Sequence, residues 1–264
     1  MPDYKWISCK TLLNKITNKD RLFQGDYTLD PYQKCDLGCR YCDASEDTVY
    51  IKSSAAELLK KEVAEMDGGT VIVGSTVDPY QRVEKKERIT RKLLRVLIDH
   101  SLPFHILTKS DLILRDLSLI TESKDARVTV SLSTTNKKIA ETLEPYASSP
   151  EERFNVIKKL SEKNVRVGAA IMPVLPMITD ESLEEIIWKA KNAGAEYIVY
   201  AYLELKGEQK KRFFSTIERY FPGCLEEYKH LYGQGYLPLN YTLDDKIRVY
   251  CDKYNINTVF GGNL

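Results

Sequence analysis

Glycine and proline are scarce in this sequence of 264 residues, which contains 13 and 10 of them respectively. A collagen-like or low-complexity chain would need many more of both, and a disordered chain would not carry 43% hydrophobic residues. No run of about 18 apolar residues occurs, so we expect no membrane span. The first ten residues also lack the apolar stretch of a secretory signal. These absences favour a cytoplasmic globular protein.

The sequence also lacks a strong excess of either charge. Its 39 lysine and arginine residues offset 38 acidic residues, which gives a net charge of +1. Global electrostatic attraction to nucleic acid is therefore not indicated. A local exception is residues 82–95, where the basic side chains outnumber the acidic ones and four follow the spacing of one helix face: Lys85, Arg88, Lys92 and Arg95. This stripe is either a solvated helix face or a surface that faces phosphate groups.

The widely spread, paired cysteines of a secreted disulfide framework are missing too. Among the six cysteines, Cys9, Cys224 and Cys251 are far apart in the sequence. The other three lie close together: Cys35, Cys39 and Cys42. Three thiolates this close can bind one face of a metal centre, so this group is the strongest chemical signal in the sequence.

The cysteine group favours an open iron–sulfur cluster over zinc. Zinc usually recruits four cysteine or histidine ligands, most often from two paired motifs. Here no fourth ligand is evident, because Cys9 and Cys224 lie in no paired motif and the three histidines are isolated. A [4Fe–4S] cluster held by three thiolates leaves one iron open to another molecule. Zinc binding and uncoordinated cysteines stay open as alternatives.

Short β-branched runs alternate with longer amphipathic patterns along most of the chain. The predicted strands cover residues 23–29, 70–74, 104–108, 127–132, 166–172 and 197–203. The predicted helices cover residues 54–66, 86–100, 111–122, 151–163, 182–193 and 207–220. Ser54 and Glu57 have the spacing of a capping box, and Pro150 suits the first turn of a helix.

This alternation predicts an α/β fold of parallel strands joined by right-handed crossovers. A doubly wound sheet and a barrel both satisfy the pattern. Polar residues follow nearly every strand, as in barrel enzymes, and no Gly-rich phosphate loop follows the first strand. We therefore predict an incomplete (β/α)6 TIM-type barrel over residues 23–221, an N-terminal extension over 1–22 and a C-terminal extension over 222–264 that packs on the barrel.

A CxxxCxxC motif follows the first predicted strand within LDPYQKCDLGCRYCDA, and it resembles the signature of the radical S-adenosylmethionine (SAM) superfamily. Three further blocks are similar to the subgroup related to spore photoproduct lyase, also called DNA repair photolyase-like: VGSTVDPYQRVEKKERITRKLL, HILTKSDLILRDLSLI and VSLSTTNKKIAETLEP. The resemblance implies an enzyme whose [4Fe–4S] cluster binds SAM. One electron then cleaves SAM to methionine and a 5′-deoxyadenosyl radical, which abstracts hydrogen from a substrate.

The resemblance implies roles for residues of the first two strand ends. The three clustered cysteines would bind the cluster. Tyr41, the aromatic residue before the last of them, would lie against the adenine of SAM. Gly74, Ser75 and Thr76 stand where many members have Gly-Gly-Glu, and they would hold the SAM amino group. Asp78 would orient Lys109 or Arg82, or would only initiate a turn.

The resemblance extends to the ends of the next three strands. Lys109, which follows the third strand, would pair with the SAM carboxylate through a charge-assisted hydrogen bond. Ser131 or Ser133, on the fourth strand, would bind the ribose or the carboxylate. Met172 and Pro173, after the fifth strand, would contact the adenine. An exposed loop lysine and neutral strand serines are the ordinary alternatives.

One departure from the lyase limits what the resemblance implies. Spore photoproduct lyase donates hydrogen to the product radical from a cysteine after the second strand, whereas VIVGSTVDPY has no thiol. Lesion repair is therefore not expected, and the substrate is a nucleic acid, a peptide or a metabolite. An electron donor such as flavodoxin or ferredoxin is implied as a partner. The competing hypothesis is a structural or regulatory zinc- or iron–sulfur-binding protein without SAM chemistry.

Overall fold

The computed structural model describes residues 2–17, 20 and 22–260. Its strands are β1 (Asp3–Ile7), β2 (Leu13–Lys15), β3 (Tyr27–Leu29), β4 (Tyr32–Gln33), β5 (Thr48–Lys52), β6 (Val71–Val73), β7 (Phe104–Thr108), β8 (Ala126–Ser131), β9 (Arg166–Val174), β10 (Tyr197–Tyr202) and β11 (Asn257–Phe260). Its α-helices are α1 (Ala55–Val63), α2 (Glu84–Glu87), α3 (Ile89–Asp99), α4 (Leu117–Ile120), α5 (Lys137–Leu143), α6 (Pro150–Ser161), α7 (Leu183–Asn192), α8 (Gly207–Tyr220), α9 (Leu225–Leu231) and α10 (Asp244–Tyr254). Short 3-10 helices span Asp111–Asp116 and Pro222–Cys224.

The larger sheet has the strand order β11-β10-β9-β8-β7-β6-β3-β2. Neighbouring strands are parallel from β3 to β11, whereas β2 is antiparallel to β3 at the edge. The six predicted strands correspond to β3, β6, β7, β8, β9 and β10 and are confirmed. The predicted count of six parallel strands is not confirmed, because the C-terminal segment adds a seventh parallel strand, β11, beside β10. The result is a mostly parallel α/β sheet in an open series of strands.

A second, smaller sheet of order β1-β5-β4 carries the cysteine segment. β1 pairs in parallel with β5, and β4 pairs antiparallel with β5. The three clustered cysteines lie in the loop between β4 and β5. The segment predicted as an N-terminal extension therefore contributes a strand to each sheet, and Tyr4 of β1 donates a hydrogen bond to Asp36 in the cysteine loop.

The two faces of the larger sheet have different compositions because side chains alternate along each strand. On β8, Val128 and Val130 pack in the main core with the helices, whereas Thr129 and Ser131 point to the opposite, inner face. The inner face has its own small apolar cluster: Phe23, Ile72, Ala170 and Val199. Apolar residues thus fill part of the barrel interior, and polar groups lie toward the carboxyl ends of the strands.

Two helices differ from the prediction. The predicted helix 86–100 is divided at Arg88, whose φ of 55° ends α2 and begins α3. The predicted helix 111–122 starts as the 3-10 helix Asp111–Asp116 and only then becomes α4. No glycine or proline lies at either break, so the sequence gives no signal for them. The structure also adds three helices that were not predicted: α5, α9 and α10.

Helix capping was predicted with mixed success. Pro150 is the first residue of α6, as expected, and Ser149 with Glu152 forms a capping box before it. The capping box expected at Ser54 is wrong, because Ser54 has a left-handed φ of 52° and its side chain makes no cap hydrogen bond. Sequence spacing alone does not reveal the backbone conformation that a cap requires.

The predicted basic stripe does not form one continuous face. The break at Arg88 separates Lys85, on α2, from the residues of α3. Arg95 pairs with Glu122 through hydrogen bonds of 2.7 and 3.1 Å, so part of its charge is compensated. In the described ranges, no helix has both the length and the apolar character that crossing a membrane requires.

Candidate active site

The cysteine loop folds back on itself through backbone hydrogen bonds. The Cys35 nitrogen donates to Ala44 O at 2.8 Å, and the Cys42 nitrogen donates to Cys39 O at 3.1 Å. Gly38 has a φ of 71°, and a side chain there would meet the Tyr146 ring at 2.9 Å. Glycine is therefore required at this turn. Cys35 and Cys39 are buried, and Cys42 is half-buried.

The three thiols lie close enough to affect one another electrostatically. Burial raises the pKa of the Cys35 thiol to about 12, and the charges of Asp78 and Cys42 add to the shift. Burial, then the Glu144 carboxylate, raises the pKa of Cys39 well above its usual value, although Lys109 opposes the rise. Thiolates at these positions therefore need a bound cation, whose binding would release protons.

The donor set fits a cluster better than a single ion. Among the residues described, no three or more His, Cys, Asp or Glu side chains are arranged around one ion position. A structural zinc site needs four ligands that converge on one ion. A [4Fe–4S] cluster bonds its cysteines to separate iron atoms, so three neighbouring thiols need not converge. The loop chemistry therefore fits the cluster that its spacing predicts.

Four predicted site residues meet at the carboxyl ends of β7, β8 and β9. The carbonyl oxygen of Met172 accepts from Lys109 Nζ at 3.3 Å and from Ser131 Oγ at 2.7 Å. Lys109 Nζ also lies 6.0 Å from the centre of the Tyr41 ring. Met172 and Pro173 lie within β9, which extends to Val174, and not after the strand as predicted. The ends of three strands thus meet the cysteine loop around one lysine ammonium.

Ser133 lies two residues beyond Ser131 and has an unused hydroxyl. Its side chain is buried, with 3% exposure, and Oγ has no hydrogen-bond partner within the described part of the chain. An unpaired buried hydroxyl costs free energy, so such a group is typical of a site that a ligand completes. Ser133 therefore fits the predicted role in binding a polar ligand, whereas Ser131 already bonds to the protein.

Asp78 does more than initiate a turn. Its carboxylate accepts from Lys109 N at 2.6 Å, from Thr108 Oγ1 at 2.7 Å and from Tyr80 N at 2.8 Å. Burial raises the pKa of Asp78, and these donors oppose the rise. The carboxylate therefore joins the loop after β6 to the end of β7 and holds the backbone of Lys109. This is the orienting role predicted toward Lys109, and Arg82 takes no part in it.

Ser75 and Thr76 are held by Asp30, a residue that the sequence analysis missed. Ser75 Oγ donates to Asp30 Oδ2 at 3.0 Å, and Thr76 N donates to Oδ1 at 3.1 Å. Both residues are exposed. Gly74 has a φ of 89°, and a Cβ there would lie 3.0 Å from Leu107 O. Asp30 was detectable, since it is a carboxylate directly after a predicted strand.

A buried ion pair behind the cysteine loop was also missed. Tyr41 donates its hydroxyl to Glu144, and Arg153 binds the same carboxylate. Arg153 also donates to Ser131 O at 3.0 Å. Burial alone would raise the pKa of Glu144, but Arg153, Lys109 and the Tyr41 hydroxyl more than offset it and lower the pKa. The pair thereby links Tyr41 to the end of β8.

The N-terminal half of α8 covers the outer side of the cysteine loop. Gln209 donates to Tyr41 O, and Arg212 donates to Cys42 O at 3.1 Å and to Ser45 O at 3.3 Å. The loop is therefore held from inside by the Glu144–Arg153 pair and from outside by α8. It can present its three thiols with little freedom to move.

The fold and the cysteine loop together define an open α/β barrel with its reactive residues at the carboxyl ends of the strands. The family model of the Radical SAM superfamily matches residues 29–189. The chain therefore belongs to this superfamily and is an enzyme of the radical SAM class. The matched region includes all three cysteines and all the other predicted site residues.

Two similar relatives are uncharacterized proteins. One, from Mycobacterium tuberculosis, is 29% identical over 275 residues, which cover 95% of this chain and 80% of the relative. The other, from Methanocaldococcus jannaschii, is 26% identical over 228 residues, which cover 82% of this chain and 85% of the relative. These likenesses extend beyond the cysteine loop to most of the fold.

Two solved proteins share the fold at low sequence identity. A spore photoproduct lyase mutant with bound AdoMet and dinucleoside spore photoproduct has a TM-score of 0.68 at 13% identity, covering 99% of this chain and 82% of the lyase. SuiB of Streptococcus suis, bound to S-adenosylmethionine, has a TM-score of 0.61 at 16% identity, covering 88% of this chain and 49% of SuiB. At this identity the likeness establishes the fold alone.

Proposed function

We propose that this chain binds a [4Fe–4S] cluster through Cys35, Cys39 and Cys42 and uses SAM to begin a radical reaction on a substrate. The observation that carries the proposal is the meeting of the cysteine loop with the ends of β7, β8 and β9 around Lys109. When bound and reduced, the cluster would supply the electron that cleaves SAM to methionine and a 5′-deoxyadenosyl radical.

The protein's own residues would bind and orient SAM. The Lys109 ammonium would pair with the SAM carboxylate, because within residues 2–17, 20 and 22–260 its one hydrogen-bond partner is the Met172 carbonyl at 3.3 Å. The unpaired hydroxyl of Ser133 would bind the ribose or the carboxylate. Tyr41, Met172 and Pro173 would pack against the adenine.

The exposed loop after β6 would bind the SAM amino group. The Asp30 carboxylate accepts from Ser75 Oγ and Thr76 N, and its negative charge complements an ammonium. The Ser75 oxygen can accept a further hydrogen bond. Gly74 lets this loop pass close to β7. Asp30 would therefore act in place of the glutamate that many superfamily members carry in this motif.

The substrate is a nucleic acid, a peptide or a metabolite that reaches the inner face of the barrel. We place the enzyme in the cytoplasm, where a small acidic electron carrier would reduce it. These assignments rest on superfamily membership and on the low net charge of the chain.

Replacing the cysteines tests the proposal directly. Alanine at Cys35, Cys39 or Cys42 should abolish the brown colour and the iron of the anaerobically purified protein, about four atoms per chain in the wild type. Cys251→Ala is the matched control, because this buried thiol lies on α10, away from the loop. Reduction with dithionite in the presence of SAM should release 5′-deoxyadenosine. Full iron loading in a triple mutant, or a colourless wild type with one zinc, would contradict the proposal.

A further inference from the structure

A cavity of about 1070 Å³ opens on the outer side of the cysteine loop. Its walls include Gly38, Cys39, Arg40, Arg82, Tyr146 and Arg212. Lys109, Ser131 and Met172 are not among the residues that line it. The cysteine loop therefore lies between two different environments. On the inner side Tyr41 contacts Glu144 and Lys109, and on the outer side Cys39 borders the cavity.

Three arginines line this cavity, Arg40, Arg82 and Arg212, and Arg219 shares the Tyr220 ring with Arg40 beside it. We call these four residues the arginine face. The Arg82 guanidinium lies 4.5 Å from the centre of the exposed Tyr146 ring. Arg40 and Arg219 each lie 5.1 Å from the centre of the Tyr220 ring. Within the described residues, none of the four is in an ion pair with a carboxylate. Their positive charges are therefore available to a partner.

The carboxylates near the cavity do not cancel this charge. Asp36 is buried, and its oxygens accept from Tyr4 Oη at 2.8 Å and from the backbone nitrogens of Arg82 and Val83. Glu46 pairs with Lys34. Asp47 is the remaining carboxylate on the cavity wall and is exposed. Together with Lys34, the four arginines supply five positive charges against these three carboxylates, so a net charge of +2 remains beside the cysteine loop.

We infer that the arginine face is the docking surface for an acidic, one-electron carrier protein such as a flavodoxin or ferredoxin. This inference rests on the proposed function, because SAM cleavage consumes one electron that the cluster must receive from outside. The carrier would lose that electron and the cluster would gain it. Cys39, on the cavity wall, would place the cluster beneath the face, whereas SAM would approach from the Lys109 side.

The charge pattern suits a transient electron-transfer partner. Encounters of this kind bury little surface and depend on complementary charge for their rate. A single-stranded nucleic acid would also be attracted to arginines and exposed tyrosines. The net charge of +1 and the compensated residues of α3 argue against a nucleic-acid surface that extends beyond this face. A protein that carries its own acidic patch needs no such extension.

The test compares two reductants on the cluster-loaded enzyme. In the double variant Arg82→Glu/Arg219→Glu, both changed side chains contact tyrosine rings and not the cysteine loop. The matched control is Lys124→Glu/Lys163→Glu, at exposed positions that precede β8 and β9 at the other end of the barrel. Flavodoxin, kept reduced by NADPH and its reductase, is titrated while the cluster absorbance and 5′-deoxyadenosine are followed. Dithionite replaces the protein carrier in parallel reactions.

We expect the arginine variant to slow cluster reduction by flavodoxin and not by dithionite. The arginine variant should need at least about tenfold more flavodoxin for half-maximal cluster reduction, and the wild-type rate should fall as salt is added. Rates with dithionite should stay within about twofold of the wild type, and the control variant should match the wild type with both reductants.

Three outcomes would overturn the inference. The first is an unchanged flavodoxin requirement in the arginine variant. The second is tight binding of a fluorescent single-stranded oligonucleotide that the variant loses while its flavodoxin kinetics stay normal. The third is a wild-type protein without a cluster, which would defeat the proposed function as well. A cluster that flavodoxin reduces through this face, but that yields no 5′-deoxyadenosine even with dithionite, would support the inference and defeat SAM cleavage alone.

Discussion

Lys109 lies between the cysteine loop and the ends of β7, β8 and β9. Asp78 holds its backbone nitrogen, and its ammonium is shared between the Met172 carbonyl and the face of the Tyr41 ring. The resemblance to radical SAM enzymes implied only that a lysine here meets SAM. The structure adds how the lysine is held, since the half-buried carboxylate of Asp78 and the end of β7 fix the position of the Lys109 backbone.

We predict that Lys109→Ala weakens SAM binding without removing the cluster. A lone charge-assisted hydrogen bond contributes about 1.5–3 kcal/mol, so the affinity should fall roughly ten- to a hundredfold. Equilibrium dialysis with labelled SAM and iron analysis of the same samples would measure both quantities. Lys163→Ala, at an exposed position, serves as the control. Unchanged SAM affinity would make Lys109 an ordinary loop lysine.

The buried Glu144–Arg153 ion pair is expected to affect the stability of the fold more than the reaction. Both side chains are buried, so removing one charge leaves the other without compensation in a low-dielectric environment. We predict that Glu144→Gln lowers the free energy of unfolding by about 3–5 kcal/mol. Glu141→Gln, at an exposed position on α5 three residues before Glu144, should change it by less than about 0.5 kcal/mol. Urea titration of the three proteins measures the difference, and equal midpoints would contradict the prediction.

At the scale of elements, the inner faces of β7, β8 and β10 share a polar cluster. His105 Nε2 lies 2.7 Å from Thr129 Oγ1 and 3.1 Å from Tyr197 Oη, and its Nδ1 lies 3.3 Å from Phe23 O. Burial lowers the pKa of His105 to about 4, even though the Phe23 carbonyl opposes the shift. The imidazole ring of His105 is therefore neutral in the folded protein at neutral pH.

This cluster makes stability depend on pH. The unfolded chain protonates His105 near pH 6.5, whereas the folded chain does so only near 4, so stability is complete above 6.5 and declines as the pH falls toward 4. We predict that the free energy of unfolding falls by about 2 kcal/mol from pH 7 to pH 5 through this residue.

The pH prediction can be isolated with two variants. His105→Gln should lose this part of the pH dependence, whereas His230→Gln, at an exposed position, should keep it. Urea unfolding at pH 7 and pH 5 provides the comparison. The same decrease in wild type and His105→Gln would show that the ring is not responsible.

The elements themselves differed in how well the sequence predicted them. The strands β6 to β10 were predictable because buried β-branched residues in short runs indicate parallel strands. The end of α2 was not, because Arg88 adopts a left-handed conformation that no glycine signals. The edge strand β11 was missed because the pairing with β10 that makes it a strand spans about a fifth of the chain.

At the scale of the whole molecule, the thiols outside the cysteine loop are placed away from the site. Cys9 follows β1, Cys224 ends a short 3-10 helix and Cys251 is buried on α10. None of these elements carries a predicted site residue. Ser75 stands near the position of the lyase's donor cysteine, but it is exposed and bonded to Asp30.

We predict that this enzyme does not repair spore photoproduct by the cysteine-dependent route, although SAM cleavage should occur. A serine O–H bond is much stronger than a thiol S–H bond, so Ser75 cannot donate hydrogen to a carbon radical. Anaerobic incubation with a dinucleotide spore photoproduct, SAM and dithionite should give 5′-deoxyadenosine without catalytic recovery of thymine. Recovery over many turnovers that survives alanine at Cys9, Cys224 and Cys251 would prove this wrong.

The sequence by itself determined the cysteine loop, the parallel strands and the residues at their ends. These features are local: ligand spacing within eight residues, and the periodicity and flanking residues of single strands, record them directly. Only the tertiary structure decided which distant residues meet. Tyr41 and Glu144 are 103 positions apart, and Arg212 reaches Cys42 from 170 positions away. Such contacts arise from the packing of whole elements, which no local pattern specifies, and they hold the loop and form the arginine face outside it.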